Sequence, residues 1–195
     1  MVIAIDGPAG AGKSTVARAV ARELGFTYLD TGAMYRAVGL ASTEDDIAPA
    51  EAAHRIGIEH GDHVLIDGRD VSEAIRTPEV AQAASRRAAD PGVRQVLVAK
   101  QQTLLAGGDW VAEGRDIATV VAPGAAVKVH LTASPDERAR RRGVPVEELR
   151  ERDERDTGHG RATLEPAPGA VAVDTTGLTI DEVVARIVEL VERAK

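Results

Sequence analysis

The sequence predicts an α/β protein of three layers built on a parallel sheet, and three observations carry that reading. A short apolar strand, Val2-Ile3-Ala4-Ile5-Asp6, opens the chain and runs straight into a glycine-rich loop. Further short apolar runs recur at Trp110 to Glu113, Val127 to Leu131 and Val171 to Val173. Helices with capped starts alternate with them, which is the rhythm of strands joined by crossover helices. Strands of this kind are continuously apolar because a parallel sheet is covered on both faces.

Taken in order, the first strand leads into Gly7-Pro8-Ala9-Gly10-Ala11-Gly12-Lys13-Ser14, with Thr15 following. This is GxxxxGK[ST], a loop that cradles nucleotide phosphates. Phosphate oxygens need several backbone N–H groups at once, and glycines let the chain curl tightly and approach closely. Lys13 is expected to reach the β- and γ-phosphates, and Ser14 to hold Mg²⁺ through its hydroxyl. The helix that follows, Thr15 to Leu24, places Val16, Val20 and Leu24 on one stripe. It aims its positive end at the anion, and Gly25 stops it.

From about Ile47 to Val80 the rhythm breaks. A Pro-started helix gives way to Ile58-Glu59-His60 and Val64-Leu65-Ile66 around a polar turn, then to Asp67-Gly68-Arg69-Asp70, which reads as small antiparallel strands. The segment from about Arg138 to Arg161 is dense in arginines and acids, with Val144, Val146 and Leu149 as its larger apolar residues. So charged a stretch predicts a solvated helical face or a lid that brings arginines to phosphate. Ser134-Pro135-Asp136-Glu137 and Thr179-Ile180-Asp181-Glu182 both predict capping boxes. The last helix is expected to run to about Ala194, burying Val183, Ile187, Leu190 and Val191.

Composition narrows the function. The chain has 195 residues, enough for one core with small insertions, a net charge of −7, and 2% aromatic residues. That balance disfavours a polynucleotide partner and an acidic membrane surface. There are no cysteines, hence no disulfides and no thiolate metal site. The start enters a core strand in place of a signal peptide, and no run approaches the roughly twenty apolar residues of a membrane span. A cytoplasmic protein is expected, and the absence of an apolar surface stripe points to a monomer. His60 and His63 flank a turn and no HExxH occurs, so no protein metal site is expected.

A phosphate loop alone does not separate kinases from other nucleotide handlers. No guanine-reading NKxD occurs, and the strand Val127 to Leu131 runs into Thr132 and Ala133 where a motor ATPase would place an acid. Polar islands recur instead: Leu29-Asp30-Thr31-Gly32-Ala33-Met34-Tyr35-Arg36, then Glu113-Gly114-Arg115-Asp116, then Arg152-Asp153-Glu154-Arg155-Asp156. Each joins arginine to a hydroxyl or carboxylate, as a second phosphate-bearing substrate requires. Arg115 and Asp116 follow a buried strand directly, which places them at the carboxyl edge where α/β proteins bind ligands.

These islands, with IDGPAGAGKST, DVSEAIRTPEVAQAAS, PGVR, EGRDIATVV, RDERD and VDTTGLTIDEVV, span nearly the whole chain. Together they resemble the bacterial cytidylate kinases, within the nucleoside monophosphate kinase family. The resemblance implies one P-loop kinase domain: a core of about 1–46, 81–133 and 166–195, a monophosphate-binding insertion of about 47–80, and a short lid of about 134–165. It implies transfer of the γ-phosphate of ATP to CMP or dCMP with Mg²⁺. Thr31, Ser85, Arg94 and Asp116 would surround the cytosine, Arg36 and Arg115 would grip the monophosphate, and Arg152 and Asp156 would read the sugar hydroxyl. Lys13, Arg36, Arg115, Asp116 and Arg152 form the expected catalytic set, and lid arginines such as Arg138, Arg142 and Arg152 would neutralise the transferring group. Just beyond the lid aspartate His159 stands where similar enzymes carry an arginine, and Arg161 is expected to take that role.

Plainer readings stand beside these. Ser85 could bond its own helix four residues back, Thr31 could cap a helix Met34 to Leu40, and Asp156 could pair with Arg152 at i, i+4. A shikimate- or gluconate-type kinase would share loop and lid, and a binding module would hold ATP without turnover.

Overall fold

The computed structural model describes residues 1–59, 63–158 and 165–195. The expectations at His60, His159, Gly160 and Arg161 lie outside the described residues. In chain order the elements are β1 (Val2–Asp6), α1 (Lys13–Leu24), β2 (Thr27–Asp30), α2 (Thr31–Glu44), α3 (Pro49–Arg55), β3 (Ile56–Glu59), β4 (His63–Ile66), β5 (Arg69–Asp70), a 3₁₀ turn (Ala74–Arg76), α4 (Pro78–Arg87), α5 (Pro91–Leu105), β6 (Trp110–Glu113), a π-helical turn (Ile117–Val121), β7 (Val127–Thr132), α6 (Pro135–Arg142), α7 (Val146–Gly158), β8 (Val171–Asp174) and α8 (Ile180–Ala194). They form two compact units, one of Met1–Tyr28 with Gly108–Lys195 and the other of Leu29–Gly107.

The first unit carries the phosphate loop. Its sheet has the order β2-β6-β1-β7-β8, so the strand that feeds the loop is central. The pairs β1–β6, β1–β7 and β7–β8 run parallel. In register, Ile5 lies opposite Glu113 and Asp6 opposite His130, so the carboxyl ends of three strands line up at one edge. One core fills a face of this sheet: Ile3, Ile5, Val111, Val129 and Leu131 pack against Val16 and Val20 of α1 and Val183, Ile187 and Val191 of α8. Each such side chain contributes about 1.5–3 kcal/mol of transfer free energy on full burial. The face of α8 therefore follows its predicted stripe, with Leu190 at the margin of the core.

Two local expectations shift. Helix α1 starts at Lys13, not Thr15, because Gly12 already supplies the left-handed residue (φ 90°) that turns the loop into the helix. Of the two capping boxes only Thr179–Glu182 closes in both directions. Ser134 does accept from the Glu137 N–H, but the Glu137 carboxylate turns forward to Arg140 and Arg141, which hold it down at a pKa of about 2. Strand β2 and the π-helical turn had no sequence signal of their own.

The second unit has its own apolar centre. Met34, Ala37, Val38 and Ala41 of α2 pack with Ile56, Val64 and Ile66 of the small strands and with Val93 and Leu97 of α5. The antiparallel sheet β3-β4-β5 pairs Ile56 with Ile66 and Glu59 with His63. Strand β3 thus begins two residues before Ile58, because α3 ends at Arg55. The Lys100 ammonium donates to the carbonyls of His54 and Ile56, closing the carboxyl end of α3 where backbone acceptors have no partner along the helix. Residues 47–80 are part of this unit, together with α2, the rest of α4, and α5.

Candidate functional site

The site grows out of the carboxyl end of β1. At Gly7 the backbone takes φ 144°, and a Cβ there would lie 2.0 Å from the Leu131 carbonyl oxygen. Only glycine lets the loop leave the sheet so close to β7. Lys13 curls back over the loop, its ammonium donating to the Pro8 carbonyl at 2.9 Å, and is 8% exposed. Burial, then the charges of Arg115 and Arg152, push its pKa down to about 7 against the opposing pull of Glu113 and Asp6. A lysine so crowded by cations marks a place prepared for an anion.

Asp6, the last residue of β1, is buried and its carboxylate accepts from the N–H groups of Ile117 and Ala118 at 2.9 and 2.8 Å. Two charge-assisted bonds fix the first turn of Ile117–Val121, and with it Arg115 and Asp116 immediately before. Desolvation nevertheless raises the Asp6 pKa, with the neighbouring Asp116 charge adding to it. Asp116 is buried at the entry of this turn, its carbonyl accepting from the Val120 N–H. Arg115 donates to the Gly7 carbonyl at 2.6 Å and to Asp156 Oδ2 at 3.0 Å. Asp156 thus makes a long-range pair with Arg115, and the loop, the EGRD island and α7 are tied together.

Glu113 is the residue that sequence reasoning left without a role. It ends β6 beside β1, is buried, and its Oε1 accepts from Ser14 Oγ at 2.5 Å and from the Tyr28 hydroxyl at 3.0 Å. The signal was available: an apolar strand closing on an acid, as sought at Val127 to Leu131, occurs instead at Trp110 to Glu113. A hydroxyl and a carboxylate, both hard oxygen donors, meet here at the foot of the phosphate loop. That donor set suits Mg²⁺, which takes one or two protein oxygens and completes its shell with phosphates and water.

The arginine-rich segment departs from expectation. Arg138 is buried and does not reach outward; it bonds Asp153 Oδ2 at 2.7 Å and the Ala9 carbonyl at 3.2 Å. Around it Ala9, Ala139 and Leu149 form a small apolar cluster. A Cβ on Gly10 would lie 2.7 Å from the Arg138 carbonyl oxygen, so α6 rests directly on the loop. The segment is thus no wholly solvated face. On α7, Leu149 and Asp153 point to this contact, while Asp156 faces Arg115. Arg141 bonds the Thr175 hydroxyl and carbonyl, and Thr175 in turn donates to the Ala11 carbonyl, bracing the far side of the loop.

In the second unit Asp30, and not Thr31, caps α2, accepting from the Ala33 N–H at 2.9 Å. Asp30 also holds Arg36, whose NH2 donates to it at 2.8 Å, while the buried Nε of Arg36 has no partner among the described residues. Thr31 is buried as the first residue of α2. The Ser85 hydroxyl is buried and makes no bond to its own helix or to any other described residue. This sets aside the backbone-bonding reading and leaves a hydroxyl available to a ligand. Arg94 sits in the first turn of α5, behind the Asp90 cap. Thr31, Arg36, Ser85 and Arg94 therefore belong to this unit, and Lys13, Ser14, Arg115, Asp116, Arg152 and Asp156 to the first.

Residues 3–193 match the family described as Cytidylate kinase. The protein named cytidylate kinase from Carboxydothermus hydrogenoformans is 47% identical, over 99% of this chain and 98% of its own. One of the same name from Caldanaerobacter subterraneus is also 47% identical, over 98% and 94%. Among solved structures, shikimate kinase from Acinetobacter baumannii in complex with shikimate is similar at a TM-score of 0.51 and 16% identity, covering 100% of this chain and 94% of that one. At that identity the likeness is one of fold.

The Arg138–Asp153 contact makes a stability prediction. Arg138→Met strips the buried Asp153 carboxylate of its 2.7 Å ion pair and should cost about 3–5 kcal/mol in urea unfolding. The double variant Arg138→Met/Asp153→Leu should recover most of it. A loss below about 1 kcal/mol for the single variant, the size of an exposed pair, would contradict a structural role.

Proposed function

The chain belongs to the cytidylate kinase family, and on that premise we propose that it transfers the γ-phosphoryl group of ATP to CMP or dCMP, giving CDP or dCDP and ADP. The observation that carries this reading is the charge at the carboxyl end of β1, where Arg115 and Arg152 crowd a buried Lys13. In-line transfer asks little covalent chemistry of a protein and much positioning and charge neutralisation. The bond between the γ-phosphorus and the β–γ bridging oxygen breaks as one forms to a phosphate oxygen of the nucleoside monophosphate. That acceptor is already anionic at neutral pH, so no general base is assigned, and Asp116 orients rather than abstracts.

On this reading Gly7, Pro8, Ala9, Gly10, Ala11, Gly12, Lys13, Ser14 and Thr15 hold the ATP phosphates, with backbone N–H groups and the Lys13 charge on the β- and γ-oxygens. Ser14 and Glu113 would hold Mg²⁺, whose chemistry when bound is to neutralise developing charge on the phosphate oxygens. Arg36 and Arg115 take the acceptor's phosphate, with Arg115 exchanging the Gly7 carbonyl and Asp156 for a stronger anionic partner. Arg152 and Asp156 read the sugar. Thr31, Ser85, Arg94 and Asp116 read cytosine: a carboxylate can accept from its exocyclic amine, whereas uracil presents an acceptor there and leaves a buried carboxylate unmatched. The free Ser85 hydroxyl supports that assignment. We assign residues 47–80 as the monophosphate-binding insertion and 134–165 as the lid. Lid closure would exclude water that otherwise hydrolyses ATP.

A coupled ADP-release assay with MgATP against CMP, dCMP, UMP, AMP, GMP and shikimate tests the reading. Strong release with CMP and dCMP and weak release with UMP is expected; silence with every nucleotide, or release with shikimate alone, would overturn it. In the same assay Arg161→Ala should lower turnover if Arg161 serves in place of an arginine at position 159. Unchanged turnover and unchanged KM for both substrates would remove Arg161 from the site.

A further inference from the structure

Tyr28 lies outside the phosphate loop and outside every polar island read from the sequence, yet it ends on a carboxylate of the site. Its hydroxyl donates at 3.0 Å to Glu113 Oε1, the same oxygen that accepts from Ser14 Oγ at 2.5 Å. The ring is buried in the core of the first unit, beside Val16 and Val111, which fixes the direction of the hydroxyl. The Arg18 guanidinium lies 4.8 Å from the ring centroid. Ser14 and Arg18 stand at i, i+4 on α1, so one stripe of that helix engages Glu113 and Tyr28 in turn. Glu113 is thus oriented from two sides, by a residue of the loop and by a residue of β2.

We propose that Tyr28 is a positioning residue for the divalent cation: by donating to Glu113 Oε1 it sets the orientation in which the carboxylate faces the metal beside Ser14. The proposal rests on the reading of Ser14 and Glu113 as the metal-holding pair. The physical reason is that a ligating carboxylate with one donor can swing about its χ3 torsion, whereas one held by a second, core-anchored donor has its lone pairs aimed before the metal arrives. Partners of this kind typically change metal affinity by 10–100-fold. A cation held over the ring face also polarises the phenol, which strengthens its O–H as a donor.

The test measures Mn²⁺ binding to the ATP-loaded protein by electron paramagnetic resonance, for the parent, Tyr28→Phe and Glu113→Gln, with melting midpoints and the KM for CMP recorded alongside. Phenylalanine fills the same space in the core, so Tyr28→Phe should fold with a similar midpoint. It should bind Mn²⁺ about tenfold more weakly and raise the Mg²⁺ concentration at half-maximal turnover, while the KM for CMP stays put. A merely structural tyrosine would move the midpoint and leave Mn²⁺ affinity alone. If Glu113→Gln weakens Mn²⁺ binding and Tyr28→Phe does not, the role of Tyr28 is overturned and the metal-holding pair stands. If neither variant changes it, the assignment of Glu113 to the metal fails and takes the Tyr28 proposal with it.

Discussion

Lys13 shares the carboxyl end of a parallel sheet with Arg115 and Arg152, and that crowding of like charge is what the rest of the first unit has to hold in place. Left to itself such a cluster would disperse, since mutual repulsion and desolvation both act against it. Fixed oxygens tether Lys13 and Arg115: the Pro8 carbonyl holds Lys13, and the Gly7 carbonyl and Asp156 hold Arg115. The carbonyls are acceptors that a polyphosphate can outbid, because a phosphate oxygen carries full negative charge and a backbone carbonyl only a partial one. At the Pro8 and Gly7 carbonyls the ligand-free arrangement therefore holds its positive charge with weak placeholders.

The scaffold makes the arrangement rigid by long-range contacts that bypass the sheet's own hydrogen bonds. Asp6 holds the turn that follows EGRD, so the position of Arg115 is set from the base of the loop itself. Gly7 and Gly10 let the loop lie against Leu131 and Arg138 with no room for a side chain. Arg138 and Asp153 lock α6 to α7, and Arg138 also bonds the loop at Ala9. A pair this buried repays little net energy in itself, but breaking it is costly, so it specifies one placement of α7 and of the Asp156 that α7 presents.

How far this could be read from the sequence depends on the range of each interaction. The phosphate loop, the stripes of α1 and α8 and the Thr179–Glu182 box follow from neighbours within a few residues, and they stand as read, apart from a two-residue shift in the start of α1. Asp6, Glu113, Arg138 and Asp153 act through partners 15 to 129 positions away, and a pattern of apolar and polar residues does not encode which carboxylate meets which donor. The arginine-rich segment misled for the same reason. Its composition predicts a solvated helical face or a lid, yet two of its charges neutralise one another beside a small apolar cluster. Glu137 shows the local version of the problem: Arg140 and Arg141 compete for the carboxylate that a capping box would have used, and win.

Whether Lys13 is held among cations in wait for an anion is tested most directly by its own titration. Lysine carrying ¹³C at the ε-carbon, with the Lys13 signal assigned by its loss in Lys13→Arg, would be followed by NMR from pH 6 to 11 with and without a non-hydrolysable MgATP analogue. A midpoint of about 7 is predicted for the ligand-free protein. Binding of the polyphosphate should raise it to at least the ordinary lysine value of about 10.4. On that sign, nucleotide affinity is full below the ligand-free midpoint and declines as the pH rises above it. A ligand-free midpoint already near 10.4, unmoved by nucleotide, would contradict the charge-crowded site on which the reading stands.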